Sequence, residues 1–161
     1  MIYLTPLVTQ KHREPGEFII FRDFRVSFGL PSDIPVVITI PRGFITDFAS
    51  VPRLVQVLPG FNRTESSANA AVLHDWLYCN RGQVSGENPV FGLKNNKLNL
   101  TRKQCDELLY EGLRESGYSR ITAWMFYSAV RAGGWLYWNR RSDGLDLSYD
   151  FVPDEFDWES P

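Results

Sequence analysis

The stretch Ala70-Ala71-Val72-Leu73-His74-Asp75-Trp76-Leu77-Tyr78 decides how this chain folds. In a helix, five of its residues recur at i, i+3, i+4, i+7 and i+8 and share one face turned toward the interior: Ala70, Leu73, His74, Leu77 and Tyr78. Asp75 lies about 100° further round, at the edge of that face. An imidazole, a carboxylate and a phenol therefore converge on a partly buried strip. Burying such groups alone is costly, so the fold must supply a hydrogen-bond acceptor, a metal or water there.

The composition predicts one globular domain, residues 1–141, followed by an acidic and aromatic tail, residues 142–161. A length of 161 residues with 43% hydrophobic residues is enough for one core. The tail holds seven of the 19 acidic residues and none of the 17 basic ones, so the body carries a formal charge of +5. This mild charge gives no strong nucleic-acid signal. The tail is expected to be either disordered or docked on the body.

Several function classes lack their sequence signatures. No apolar run approaches the roughly 20 residues of a membrane span, and the N-terminus has no signal-peptide pattern, so we expect a soluble protein made in the cytosol. Cys79 and Cys105 are too few for a disulfide scaffold, and without a CxxC pair for zinc they are expected to be free thiols. Nucleotide-binding glycine motifs, HExxH and the catalytic serine elbow are absent.

The first quarter of the chain predicts a small antiparallel sheet. Phe24, Val26 and Phe28 alternate with Arg25 and Ser27, the period of a half-buried strand. Flanking apolar runs at 18–21 and 36–40 predict two further strands. Residues 1–16 are expected to form an extended arm with His12 at the surface. Such a sheet is too small to stand without something packed on it.

Two segments leave alternatives open. Asp47 and Ser50, between Phe44 and Arg53, can cap a turn or short helix. Alternatively, Asp47 follows the end of a strand, and its carboxylate lies near the partly buried strip that contains His74. The polar residues 80–100 are long for a connection and are interpreted as a flap, a hairpin or a functional excursion.

Two more helices follow. The residues from Thr101 to Gln104 form a capping box, and Asp106 borders the buried stripe of the helix they start, where it needs a partner. Ser119 caps the next helix, and Gly133-Gly134 end it. Its predicted inward face consists of Ile121, Trp124, Met125, Ser128, Ala129 and Ala132. The fold class is therefore α+β, with a small N-terminal antiparallel sheet packed on a three-helix body.

Two motifs resemble a known family. The run Gly43-Phe44-Ile45-Thr46-Asp47-Phe48-Ala49-Ser50-Val51-Pro52-Arg53, the helix sequence His74-Asp75-Trp76-Leu77-Tyr78 and the later Asp106 look like the phage and prophage family catalogued as domain of unknown function 1353. The resemblance spans roughly residues 43–138. It implies a phage or prophage origin and therefore a location in the host cytoplasm or the virion. The family name does not indicate an activity.

A second resemblance is chemical. An H-D-x-x-Y helix followed by a helix bearing an Asp is similar to the core of phospholipase A2 enzymes, and the Asn88-Pro89 step before the second helix also has a counterpart there. The resemblance implies that His74 is the base, that Asp75 binds calcium, and that Tyr78 and Asp106 orient the histidine. The calcium loop of that family is glycine-rich, whereas residues 54–62 contain one Gly.

The residues support a coherent hydrolysis chemistry. Asp106, by accepting one ring N–H of His74, would fix the tautomer and leave the other nitrogen as general base. A calcium ion at Asp75, with Asp47 as a further ligand, would stabilise the oxyanion formed when water attacks an ester. The first hypothesis is thus a calcium-dependent lipid esterase whose partner is a lipid or membrane surface.

Three other hypotheses stand beside it. In the second, the protein is a non-enzymatic phage structural or host-modulating protein with phage structural proteins as partners, and the strip is a buried network that locks the helix pair. A catalytic His74 must line a solvent-connected pocket, whereas a structural one should be sealed. In the third, Asp47, His74 and Asp75 bind a transition metal. In the fourth, which can accompany any of these, the tail binds a partner or mimics nucleic acid.

Overall fold

A computed structural model describes residues 1–11, 16–29, 35–46, 65–88 and 93–140. His12, Asp47, Ser50, the loop 54–62 and the tail 142–161 lie outside these ranges, so the predictions on them stay predictions. The described residues form eight strands and four helices, which confirms the α+β class. They are β1 Ile2–Tyr3, β2 Thr9–Lys11, β3 Phe18–Ile20, β4 Phe24–Gly29, β5 Pro35–Ile40, β6 Ile45–Thr46, α1 Glu65–Cys79, β7 Gln83–Asn88, β8 Leu93–Asn99, α2 Arg102–Glu115, α3 Arg120–Gly133 and α4 Trp135–Arg140.

The larger sheet combines N-terminal strands with a hairpin from the middle of the chain. Its order is β1-β4-β5-β7-β8, and each neighbouring pair is antiparallel. The predicted alternation in β4 is confirmed, because Phe24, Val26 and Phe28 are buried while Arg25 and Ser27 are half-buried. Of the three interpretations of residues 80–100, the structure shows the hairpin, β7 and β8. The sheet is therefore wider than its N-terminal strands alone.

A second, smaller sheet is formed by three short strands between residues 9 and 46. It contains β2, β3 and β6 in the order β2-β3-β6. The N-terminal arm is not merely extended, since it supplies β1 to the larger sheet and β2 to the smaller one. Thr46, the last residue of β6, pairs with Phe18 of β3. Its hydroxyl donates to Asp75 of α1, so β6 ends beside this helix.

Helix α1 lies at the centre of the molecule. All five residues of its predicted inward face are buried, and Ala71 and Val72 are buried as well. The helix is enclosed on more sides than one apolar stripe predicts, because the sheet and the other helices share a single hydrophobic cluster around it. Among the described helices, none has the combination of length and apolarity that a membrane span requires.

The ends of α1 and α2 are tied together by backbone hydrogen bonds at Gly82. Its N–H donates to Leu77 O at 2.8 Å, and its carbonyl accepts from Leu100 N at 2.9 Å. Thr101 then starts α2 with the predicted capping box, in which the Thr101 side chain accepts from Gln104 N and the Gln104 side chain accepts from Thr101 N. This junction fixes the register between the helix that carries His74 and the helix that carries Asp106.

The predicted inward face of α3 is wrong at Ile121, Trp124 and Ala132, which are exposed, whereas Ala129 packs against the core as predicted. Ile121 is 74% exposed and Trp124 is 61% exposed, while Ala123, Phe126 and Val130 are buried. Both stripes of this helix are apolar, so a 3.6-residue period is compatible with either orientation. Contacts outside the helix decide between them, including the edge-on packing of Phe126 against Tyr118 at 6.2 Å between ring centroids.

Replacing Gly82 with Ala is expected to destabilise the protein more than replacing Gly117 with Ala. Both glycines have positive φ, +71° and +88°, which costs an alanine roughly 1–2 kcal/mol. A Cβ at Gly82 would also lie 1.9 Å from Leu100 O, whereas one at Gly117 meets nothing within 4 Å. Urea unfolding of both variants measures the difference. Equal losses would contradict a role for Gly82 in the close approach of the two helix ends.

Candidate functional site

The buried carboxylate of Asp106 gathers side chains from three helices. Asp106 lies on α2 and is 0% exposed. Its Oδ1 lies 2.9 Å from His74 Nε2 and accepts a hydrogen bond from the Tyr78 hydroxyl at 2.5 Å; both partners are on α1. Its Oδ2 accepts from Arg131 of α3 at 2.8 Å. The structure thus brings His74, Tyr78 and Asp106 together, as the sequence predicted.

The local sequence of α1 places two of these donors side by side. His74 and Tyr78 are separated by four residues and therefore stack on one helix face, with ring centroids 4.1 Å apart. The Tyr78 ring also meets the edge of Trp138 from α4 at 5.2 Å. Gly134, between α3 and α4, leaves room for the phenol, since a Cβ there would lie 2.6 Å from the Tyr78 hydroxyl.

The electrostatics of the site keep Asp106 ionised. Burial by itself raises the pKa of the Asp106 carboxyl, but the hydrogen bonds from His74, Tyr78 and Arg131 together outweigh burial, so the pKa lies below its usual range. Burial and the neighbouring carboxylate raise the pKa of Tyr78, so its hydroxyl stays protonated and donates. Asp106 consequently acts as an anion that accepts from every partner.

His74 is a neutral imidazole with a defined tautomer. Burial lowers the pKa of His74, and the hydrogen bond to Asp106 only partly opposes this effect. Because an ionised carboxylate can only accept, Nε2 must carry the proton and Nδ1 must carry the lone pair. Nδ1 is buried and has no hydrogen-bond partner among the described residues. The site therefore holds an oriented base nitrogen whose lone pair is unused.

Two arginines of this site escaped the sequence analysis. Arg131 is distant from Asp106 in the chain, and no spacing rule connects them. Arg102 lies 3.9 Å from Asp106 Oδ2 and donates to the carbonyls of Val130 and Arg131 at the end of α3. A signal for Arg102 was present, because Arg102 and Asp106 are an i,i+4 pair of opposite charge.

The proposed metal ligand Asp75 lies beside the network. It is half-buried, and its Oδ2 accepts a hydrogen bond from the Thr46 hydroxyl at 2.5 Å. Asp47, the second predicted ligand, is outside the described residues. Within the described part of the chain, no group of three or more His, Cys, Asp or Glu side chains could hold a metal ion. The calcium and transition-metal hypotheses therefore remain predictions.

The two cysteines are free thiols, as predicted. Cys105 precedes Asp106 and is 0% exposed. Burial, with a smaller contribution from the Asp106 charge, raises the pKa of the Cys105 thiol to about 12. This thiol is therefore a packing group and not a nucleophile.

A family model described as "Protein of unknown function (DUF1353)" matches residues 24–130, which include His74, Tyr78 and Asp106. The chain belongs to this family. No curated protein and no solved structure matches the chain. Because the DUF1353 description names no activity, the function of this DUF1353 protein has to be argued from the geometry of its site.

In this DUF1353 protein, the His74 ring is expected to titrate below the ordinary histidine pKa of about 6.5 as the Nε2–H tautomer. Burial disfavours the imidazolium, and the Asp106 carboxylate requires a proton on Nε2. Nitrogen chemical shifts of the ring across pH measure both properties. His12→Gln removes the other histidine of the sequence, so a single ring remains. A proton on Nδ1 at neutral pH would contradict this assignment.

Asp106→Asn is expected to lower the free energy of unfolding at neutral pH by about 1.5–3 kcal/mol, because it replaces the charged acceptor of the hydrogen bonds from His74, Tyr78 and Arg131 with a neutral amide. The folded-state pKa of Asp106 is depressed, so its stabilising contribution is present above the unfolded pKa of about 3.9 and is lost as pH falls through the folded pKa. The difference from wild type should therefore shrink below about pH 4.

The matched control is Glu107→Gln, the next residue on α2. Glu107 pairs with Lys103 at 3.4 Å, and both side chains are exposed, so its loss should cost less than about 1 kcal/mol. Denaturant unfolding between pH 3 and pH 7 compares the two variants. Equal losses, or an Asp106→Asn effect that does not change with pH, would show that the Asp106 charge does not contribute as argued.

Proposed function

We propose that this DUF1353 protein is a phage or prophage ester hydrolase that acts on lipid esters, with His74 as general base and Asp106 as its orienting group. One observation carries the proposal. The bond between His74 Nε2 and Asp106 leaves Nδ1 as an oriented lone pair that no described residue uses. An orienting carboxylate on one ring nitrogen and a free lone pair on the other are two requirements of general-base hydrolysis. The third is contact of Nδ1 with water, and because His74 is 2% exposed, the proposal requires the site to open for water and substrate.

The proton transfers of the proposed reaction use only groups of this chain and water. Nδ1 removes a proton from a water molecule while the water oxygen attacks the ester carbonyl carbon. The tetrahedral adduct then expels the alcohol, which receives the proton from Nδ1, and the acid product leaves. Asp106 stabilises the transient imidazolium, and the donors Tyr78 and Arg131 keep the carboxylate in place.

A calcium ion is the proposed cofactor, with Asp75 and Asp47 as ligands. The Asp75 carboxylate is the hard oxygen ligand that calcium prefers. Thr46 donates to Asp75, and Asp47 directly follows Thr46 in the sequence. Bound there, the ion would supply positive charge to the developing oxyanion. Because the proposed substrates are lipid esters, the proposed partner is a membrane surface. The protein would act on it from the host cytoplasm or from the virion.

A second function is favoured by a different observation. His74 is 2% exposed and Asp106 is 0% exposed, so this pair is shielded from solvent. A shielded and almost fully satisfied polar network also specifies the packing of three helices. In this alternative the protein is a non-enzymatic phage structural or host-modulating protein, with phage structural proteins as its partners.

The deciding experiment measures release of fatty acid and lysolipid from phospholipid vesicles, and of acid from a simple soluble ester, by mass spectrometry. Wild type should hydrolyse these esters with calcium and lose turnover with chelator. His74→Gln should lower the rate by about 10²–10⁴, the usual contribution of a general base. Asp75→Asn should shift the calcium concentration needed for half-maximal rate upward.

The control for both variants is Glu87→Gln, an exposed residue of β7 whose ion pair with Arg25 lies on the sheet. It should leave turnover unchanged. Absence of turnover by folded wild type on both substrates, together with a large fall in thermal stability for His74→Gln, would reject the hydrolase and support the structural network.

A further inference from the structure

Helices α3 and α4 expose large apolar side chains to solvent. The outer apolar face consists of Ile121, Trp124, Trp135 and Leu136, whose side chains are 74%, 61%, 51% and 46% exposed. Gly134 joins the two helices with helical φ and ψ, and its N–H donates to Val130 O while its carbonyl accepts from Trp138 N. Because Gly134 keeps helical φ and ψ between the two helices, Trp124 and Trp135, eleven residues apart, are expected on the same side.

No described residue covers this face. Exposed contiguous apolar surface of this kind marks a binding site, and two tryptophans with two aliphatic side chains make it a strong one. A positive charge stands beside it at Arg120, which is exposed and directly precedes Ile121. The matching occupant is therefore apolar on one side and acidic.

The chain itself contains such a segment directly after α4. From Leu145 to Phe151 the sequence alternates apolar and polar residues: Leu145, Leu147, Tyr149 and Phe151 at odd positions, with Asp146, Ser148 and Asp150 between them. In an extended backbone, this alternation places the four apolar side chains on one side. The whole tail carries seven acidic residues against the +5 of the body, so the charges are complementary.

The length of this segment and its connection to α4 also match the outer apolar face. The outer apolar face runs about 22 Å from Ile121 to Leu136 at about 1.5 Å per helical residue. The alternating segment spans about 20 Å at about 3.3 Å per residue. Between Arg140 and Leu145 stands Asp143-Gly144, a dipeptide typical of tight turns, which allows the chain to reverse and run back along the helices.

We infer that residues 145–151 of the same chain bind the outer apolar face, with Leu147 and its apolar neighbours packed on Trp124 and Trp135. This interaction is independent of the proposed hydrolase activity. It gives the exposed apolar side chains of α3 a binding partner and explains the amphipathic pattern of the tail with the same contact.

Hydroxyl-radical footprinting of the full chain by mass spectrometry tests the inference. Leu147→Asp should raise the oxidation rate of Trp124 and Trp135 several-fold, because it places a charge on the packed side of the segment. Ser148→Asp adds the same charge on the opposite side and should leave both rates at the wild-type value. Oxidation of Phe126, which is 0% exposed, reports that each variant remains folded.

A second measurement approaches the contact from the helix. Ile121→Asp changes an exposed side chain and should accelerate amide hydrogen exchange in residues 145–151, whereas Ser85→Asp on the exposed side of β7 should not. Equal Trp124 oxidation in all tail variants would overturn the inference. Protection of Trp124 that disappears on dilution regardless of the tail variant would assign the face to a second copy of the chain and would also overturn it.

Discussion

The Asp106 carboxylate is the group on which the arrangement of the helices depends. Removing an ion from water costs several kcal/mol even after relaxation, and a fully buried carboxylate recovers that cost only with good hydrogen-bond geometry. Its donors come from α1 and α3, while Asp106 itself is on α2. The three helices can therefore satisfy this charge in only one mutual position. A shift of any one of them by a fraction of a turn would leave a buried ion without its partners.

The same charge sets the chemistry of His74. Without the carboxylate, burial alone would leave the ring neutral with no preference between its two nitrogens. The ionised Asp106 places the proton on Nε2 and turns the basic nitrogen the other way. A structural requirement, the satisfaction of a buried anion, thus produces an oriented base as its consequence. The structural and catalytic interpretations describe the same atoms, and access of water to Nδ1 is the physical property in which they differ.

Local signals made much of this fold predictable. The i, i+4 spacing placed His74 and Tyr78 on the buried face, the capping box fixed the start of α2, and a period of two identified β4. Nonlocal properties were not predictable in the same way. Arg131 has no sequence relation to Asp106. The hairpin of β7 and β8 could be listed only among alternatives, because its polar residues show little apolar alternation. A helix with two apolar stripes, such as α3, carries no local information about which stripe is buried.

The orientation of α3 follows from the interior charge. Arg131 must point at Asp106, and Gly134 must face the Tyr78 hydroxyl, so one ion pair and one close approach set the rotation of the helix about its axis. Phe126 and Val130 then turn inward, and Trp124 necessarily turns outward. A helix that packs against the core on one side can bury only one of its two apolar stripes. The rotation of α3 that pairs Arg131 with Asp106 therefore also exposes Trp124. Any segment that binds this side of α3 contacts the same helix that holds Arg131 against Asp106.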